Sequence, residues 1–263
     1  MRPLADLRDA AAIRGVFCDI DDTLTTDGRL TARAYAALES LKAAGKLVVP
    51  VTGRPAGWCD HIARMWPVDA VVGENGAFYF QYDDKSRTMR KRFRDDEAVR
   101  MANRARLAAI RGLILKEVSG CGIASDQLYR EADIAIDFCE DVPRLPDAAI
   151  DRIVAIMRDS GMSARVSSIH VNGWFGDYDK LGMTRTLMRE RFGVDLDAEK
   201  AHYVFVGDSP NDAPMFGYFP RSVGVANVAD FSARLESPPA YITGARSGDG
   251  FVELVAHLLK VSG

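Results

Sequence analysis

The chain has 263 residues, 48% hydrophobic and 27% charged, with a formal net charge of -3. Such a chain is long enough for one large α/β domain, or for a core domain carrying a smaller insert, and its composition excludes a disordered protein. Without a basic excess it lacks the electrostatic footprint of a polyanion-binding protein, so no nucleic-acid partner is expected.

The opening MRPLADLRDAAAIRG lacks the apolar stretch of a signal peptide, and no run approaches the roughly 18 residues that cross a bilayer. A soluble, cytoplasmic chain with no membrane partner is expected. Cys18, Cys59, Cys121 and Cys139 have no CxxC spacing and sit among apolar neighbours, as reduced core residues would.

GVFCDI (15–20) is a short apolar run that ends in acid, as a buried parallel strand does. Thr31–Ala44 places Ala34, Leu38 and Leu41 at helical spacing, with Thr31 as N-cap and Gly45 as stop. LVVPVTGR (47–54) reads as a second buried strand. A helix through Cys59–Met65 and a third apolar run, AVVGENGAF, follow. Alternating strands and helices predict a parallel sheet with right-handed crossovers.

After Phe80 the rhythm changes. QYDDKSRTMRKRFRDDEAVR is crowded with charge and leads into a helix over Asp96–Ile110. A partly alternating strand in LYREADIAIDF, a helix over Asp147–Ser160 and one or two strands in SARVSSIHVNGWF complete a small α+β insert. The core pattern resumes at Lys180 with a helix over Leu181–Arg191 and the apolar run YVFVGDSPND. Short strands near Ser222–Val225 and Ala240–Ile242 come next, and the terminal helix is FVELVAHLLKV. No internal repeat or low-complexity stretch is present.

Three strands end in polar residues: Asp19 and Asp21, then Thr52, then Asp208 and Asp212. Ligands of open parallel sheets sit beyond the carboxyl ends of the strands, so these side chains converge on one edge. Gathered carboxylates need a cation, and hard oxygen ligands without His or Cys favour Mg2+. A metal beside a carboxylate suits phosphoryl transfer, because an anionic nucleophile must approach an anionic phosphate. Lys180 adds a second positive charge, and Thr52 with the Gly53 turn can hold phosphoryl oxygens. Asp21 is placed to protonate the leaving oxygen and later to activate water.

DIDDT (19–23), VTGR (51–54), an isolated Lys180 and GDSPND (207–212) resemble the four ordered motifs of the haloacid dehalogenase superfamily. The resemblance spans roughly residues 13–80 and 176–263, and its strength lies in the four motifs occurring in order, each at a strand end or helix start. About 128 residues between Thr52 and Lys180 match the arrangement with a large cap between the second and third motifs. GENGAF (73–78), GDYDK (176–180) and GDSPNDAPMF resemble the Cof-like, type IIB branch. The resemblance implies a Rossmann-like three-layer α/β core with a parallel sheet (1–80 and 176–263) and an inserted α+β cap of type C2B (81–175).

It further implies Asp19 as nucleophile, Asp21 as acid/base, and Mg2+ held by Asp19, the Asp21 carbonyl and Asp208, with Asn211 and Asp212 completing the metal site or the shell around it. Thr52, Gly53, Arg54, Lys180 and Asn211 are expected at the substrate phosphate. Asp22 stands where the branch usually has glycine. Lone turn-forming acids such as Asp22 and Asp27 read as turn and cap residues. Arg130 or Arg92 is a candidate grip on the leaving group, and Trp174 and Phe175 read as cap packing. No histidine reads as catalytic. The expected activity is a Mg2+-dependent phosphatase for a small phosphate ester, such as a sugar phosphate. A phosphosugar mutase and a non-catalytic binding module of the same fold are the alternatives.

Overall fold

The computed structural model describes residues 1–260; Val261, expected in the terminal helix, lies outside the described residues. Six short strands form a fully parallel sheet in the order Arg2–Pro3, Tyr241–Ile242, Ser222–Gly224, Tyr203–Gly207, Gly15–Cys18, Leu47–Pro50. Val16, Cys18, Val48, Val204 and Val206 face one layer, where Leu38, Leu41, Ile62 and Leu254 pack from helices Ala32–Ala43, Ala56–Met65 and Ser247–Lys260. Phe17, Val49 and Phe205 face the other, with Met183, Leu187 and Phe216 from helices Lys180–Leu187 and Ala213–Tyr218. Burial on both faces removes any polar alternation, so the strands read as unbroken apolar runs. The fold is a three-layer α/β core. Among the described residues, no helix is long and apolar enough to cross a membrane.

The first helix is closed as its sequence requires. Thr31 Oγ1 accepts from the Ala34 N–H at 3.2 Å, and Gly45 leaves the helix at φ +71°. The helix Lys180–Leu187 is shorter than expected and runs on as a π turn over Met188–Phe192.

Sequence reasoning assigns no strand to TMRKRF, yet Phe78–Asp83 and Thr88–Phe93 form an antiparallel hairpin against Val71–Gly73. Charge hid the strand, because an edge strand tolerates exposed Arg and Lys while Met89 and Phe93 alone pack inward. A parallel bridge between Val51 and Val72 ties this hairpin sheet to the core.

A second antiparallel sheet has the order Ser163–Val166, His170–Trp174, Asp133–Asp137, Gly122–Ile123. Ala164, Ile134, Ile136 and Val171 pack on Leu107, Ile114, Ile153 and Met157 of helices Glu97–Glu117 and Asp147–Asp159. The first of these helices continues seven residues past the expected Ile110. Gly112 lies on its open side and Ile114 extends the apolar stripe of Leu107 and Ile110. The opposite sheet face carries Asp133, His170, Asn172 and Arg165 and looks toward the parallel core, where Asn172 Oδ1 would stand 3.6 Å from a Cβ on Gly53. This sheet and its two helices make a separate α+β layer in the inserted segment, where the cap is expected.

Candidate active site

Asp19 and Asp208 follow neighbouring strands, and the Asp19 N–H donates to the Val206 carbonyl at 2.9 Å. This is the point where the chain order reverses across the sheet, which puts both acids in one crevice. One carboxylate oxygen from each of Asp19, Asp208 and Asp212 lies within 4.8 Å of the others, and all three residues are buried.

Lys180, 1% exposed, donates from Nζ to Asp19 Oδ1 at 2.9 Å and to Asp212 Oδ1 at 2.7 Å. It begins its helix behind the N-cap Asp179, whose carboxylate accepts from the Gly182 N–H at 2.8 Å. Gly76, at φ +106°, makes this placement possible: a Cβ there would stand 2.0 Å from the Asp179 carbonyl oxygen. Asp212 Oδ2 accepts from the N–H groups of Asp208 at 3.0 Å and Ser209 at 3.4 Å. Gly207 admits that carboxylate, since a Cβ would meet Asp212 Oδ2 at 2.2 Å.

One ammonium among three buried carboxylates leaves excess negative charge. Burial pushes the Asp19 carboxyl up to about 7; Lys180 opposes the rise, and the charges of Asp212 and Asp21 add to it. Burial, with Asp19, Asp212 and Asp22 nearby, holds Asp208 well above the usual carboxylate range. Lys180 is raised by Asp19 and Asp212 in spite of its burial. The donor set fits a hard divalent cation, with oxygens only and uncompensated charge. Asp208 is the freest of the three, receiving only long hydrogen bonds from Thr23 Oγ1 at 3.3 Å and Asn227 Nδ2 at 3.4 Å. Asp212 is largely committed to Lys180 and to backbone N–H groups, so it orients the others.

Asp21 turns elsewhere. Its carboxylate accepts from Arg54 Nε at 3.0 Å and Nη2 at 2.8 Å. Arg54 also binds Asp126 at 3.2 Å and Glu140 at 2.6 Å, both from the inserted segment. Arg54, expected at the substrate phosphate, has its guanidinium engaged by three carboxylates here. Thr52 is fully buried, its Oγ1 accepting from the Arg54 N–H at 3.0 Å. Gly53 lies in the same turn, its carbonyl accepting from Arg130 Nη1 at 2.9 Å. Asn211 donates to Asn75 Oδ1 at 3.4 Å.

Neither candidate leaving-group arginine is free. Arg130 is buried between Asp126 and Asp133, and Arg92, on the hairpin strand Thr88–Phe93, is 3.5 Å from Glu190 of the π turn. Trp174 is buried and stacks on Tyr178 at 5.4 Å, and Phe175 packs in the apolar cluster beneath the second antiparallel sheet. Asp22 stands at φ +54°, a backbone region that favours glycine and tolerates aspartate, which accounts for glycine being usual there.

Three residues escape the sequence argument. Glu74, fully buried, accepts N–H bonds from Ala56 at 3.0 Å, Glu131 at 2.9 Å and Ala132 at 2.6 Å, so one carboxylate ties a core helix to the inserted segment. Asn75 presents a buried Nδ2 without a hydrogen-bond partner, 3.1 Å from where a Cβ on Gly53 would stand. Glu140 receives Arg54 and lies 2.8 Å from His170 Nε2. The GEN triplet was the available signal for the first two, since acid and amide side chains in an otherwise apolar run need partners.

A family model for haloacid dehalogenase-like hydrolases matches residues 16–115. A phosphoglycolate phosphatase of Archaeoglobus fulgidus is 25% identical over 248 residues, covering 93% of this chain and 96% of its own length. Among solved structures, a Thermoplasma acidophilum protein superposes with a TM-score of 0.70 at 20% identity, covering 94% of this chain and 98% of that one. A sugar phosphatase of haloacid dehalogenase subclass IIB gives a TM-score of 0.58 at 16% identity, with 93% and 98% covered. At these identities the structural likenesses speak for the fold.

Proposed function

We propose that this chain is a phosphatase of the haloacid dehalogenase-like hydrolases, in their Cof-like branch, and that it hydrolyses the phosphate monoester of a small metabolite, of the sugar-phosphate or glycolate-phosphate kind, through an aspartyl-phosphate on Asp19. The observation that carries this reading is the buried Lys180 ammonium, 2.9 Å from Asp19 and 2.7 Å from Asp212, beside the carboxylate of Asp208.

In this reading residues 1–80 and 176–263 are the catalytic core and 81–175 the cap, apart from the strand Thr88–Phe93, which pairs with the core-side hairpin. Asp19 and Asp208, with the Asp21 carbonyl and Asp212 beside them, would hold Mg2+. Bound there, the ion would neutralise the acids and polarise a phosphoryl oxygen. Lys180 favours the ionised form of Asp19 against its burial and stabilises charge on the phosphoryl oxygens. Thr52, the Gly53 turn and Asn211 receive those oxygens, with Asn75 Nδ2 as a further donor. Asp19 attacks phosphorus and becomes an acyl phosphate. Asp21 protonates the departing oxygen, then takes a proton from the water that splits the acyl phosphate. Arg54 holds the ionised Asp21 in place for its role as base, and its fork must open for Asp21 to carry the proton it gives to the departing oxygen. The cap excludes bulk water from the first step.

Assaying Asp19→Asn with Mg2+ against a panel of phosphate esters tests this reading. A loss of about 1,000-fold or more is expected, and wild-type turnover would remove Asp19 as nucleophile.

A further inference from the structure

Asp21, the acid that protonates the departing oxygen in the reading above, lines a cleft of about 230 Å³ between the parallel core and the inserted segment. A group that takes its proton from Asp21 leaves beside it, so this cleft is where the alcohol part of a substrate would lie. Its wall also carries Asp22, Thr25, Asp27, Glu140 and Ile169, and Arg54 is its one basic residue. The Arg54 guanidinium is shared among Asp21, Glu140 and Asp126 and has no charge to spare. Arg144 reaches Cys139 Sγ at 3.8 Å but lines a separate cleft with Asp147 and Asp230.

Among the described residues Asp22 and Asp27 have no ion-pair partner. Burial raises the Asp22 carboxyl above its ordinary value; the nearby Ser168 hydroxyl opposes the rise, and the charges of Asp21 and Asp27 add to it. Negative charge is gathered here without a counter-ion. Ser168 supplies an independent sign of a missing group, being 8% exposed with a buried Oγ that has no hydrogen-bond partner. Such a hydroxyl is costly unless a ligand engages it. Ser168 precedes Ile169 of the wall and stands near Asp22, so its hydroxyl borders the same space.

We propose that the alcohol part of the substrate lies in this acidic cleft and carries an ammonium group, with Asp22 as the residue that reads it and Asp27 and Ser168 as its supports. The proposal rests on the phosphatase reading above and narrows it to the phosphate monoester of a small amino alcohol. An ammonium has three donors and no acceptor, so it matches carboxylates and a hydroxyl oxygen that hold no cation. An alcohol part bearing a carboxylate would meet like charge there, with the Arg54 guanidinium already taken. The cleft keeps the alcohol small, since sites for larger ligands start at roughly 300 Å³.

The test compares three esters with the full chain and Mg2+: phosphoethanolamine, 2-hydroxyethyl phosphate and phosphoglycolate. Wild type is expected to use them in that order, preferring the ammonium ester over the neutral one about tenfold in kcat/KM, on the scale of one charge-assisted hydrogen bond. Asp22 holds φ +54°, a region that asparagine tolerates as well as aspartate, so Asp22→Asn removes the charge and keeps the turn. This variant is expected to bring the ratio near one, mainly through KM, and Asp27→Asn to lower it less. Asp22 also adds to the negative field at Asp208, so the ratio rather than the rate is read. Equal or better use of the neutral ester or of phosphoglycolate by wild type overturns the proposal, as does an Asp22→Asn variant that keeps the ratio. Should Asp22→Asn fail to fold, Asp27→Asn and the salt dependence of the wild-type ratio decide: a ratio that neither lowers overturns the subsite. Phosphate release from these esters without preference for the ammonium sinks the subsite alone, whereas no release from any of them or from p-nitrophenyl phosphate sinks the phosphatase reading with it.

Discussion

Arg54 donates to the Asp21 carboxylate through both Nε and Nη2, at 3.0 and 2.8 Å, while its Nη2 also reaches Glu140 of the cap at 2.6 Å. Asp21, proposed to handle the proton, and an acid of the inserted segment thereby share one buried cation. Cap position and Asp21 orientation are coupled through a single side chain. Arg54→Met is expected to lower kcat about 100-fold, with a smaller effect on KM, because Asp21 loses the fork that aims it. A pH–rate profile checks the assignment: its acid limb is expected to move in the variant, and an unmoved profile would return Arg54 to a structural role.

Glu140 gives this junction a pH dependence of defined sign. Burial works against its ionisation, but hydrogen bonds from His170 and Arg54, with the Arg54 charge, hold it at about 2, below its ordinary 4.5. A carboxyl depressed in the folded state adds stability that is complete above the unfolded value and lost as pH falls through the folded one. The stability gap between wild type and Glu140→Gln is therefore expected to be constant above about pH 5 and to close toward pH 2. Urea unfolding of both proteins across that window measures it.

Glu74 is a larger structural debt. Its carboxylate serves N–H groups of Ala56, Glu131 and Ala132, and Glu74→Ala strands them. Unsatisfied buried donors cost about 1–3 kcal/mol each, so a loss of about 3 kcal/mol or more is expected in urea unfolding. Glu74→Gln keeps one acceptor oxygen and should recover part of the loss.

Metal binding is linked to protons. Asp19, pushed up to about 7, and Asp208, held well above its usual range, must both ionise to serve a cation. Mg2+ affinity is expected to rise with pH through neutrality, with proton release visible as buffer-dependent heat in calorimetry. Asp208→Asn should lose at least about tenfold in affinity. In wild type, Mg2+ at 100 times its Kd should stabilise the fold by about 2.7 kcal/mol.

Much of this site was legible because parallel strands bury both faces and end abruptly in acid. GVFCDID and YVFVGDSPND mark two such ends, and their pairing brought Asp19 and Asp208 together as expected. Lys180 has no local signal of burial; its order among the motifs alone singles it out. What sequence reasoning missed depends on pairing across long separations. The ion pairs of Arg54 with Asp126 and Glu140 join residues 72 and 86 positions apart, which no local pattern announces. Arg130 looked like a substrate grip for the same reason. The Thr88–Phe93 strand was hidden because an edge strand shows only every second residue to a core.

The most direct test of the account is chemical trapping of the phosphorylated enzyme. After rapid mixing with substrate and Mg2+ and an acid quench, borohydride reduction converts a phosphorylated aspartate to homoserine, which peptide sequencing locates. The account predicts homoserine at position 19 and at no other aspartate. Homoserine at Asp21 or Asp208, or none while phosphate is being released in a burst, would contradict it.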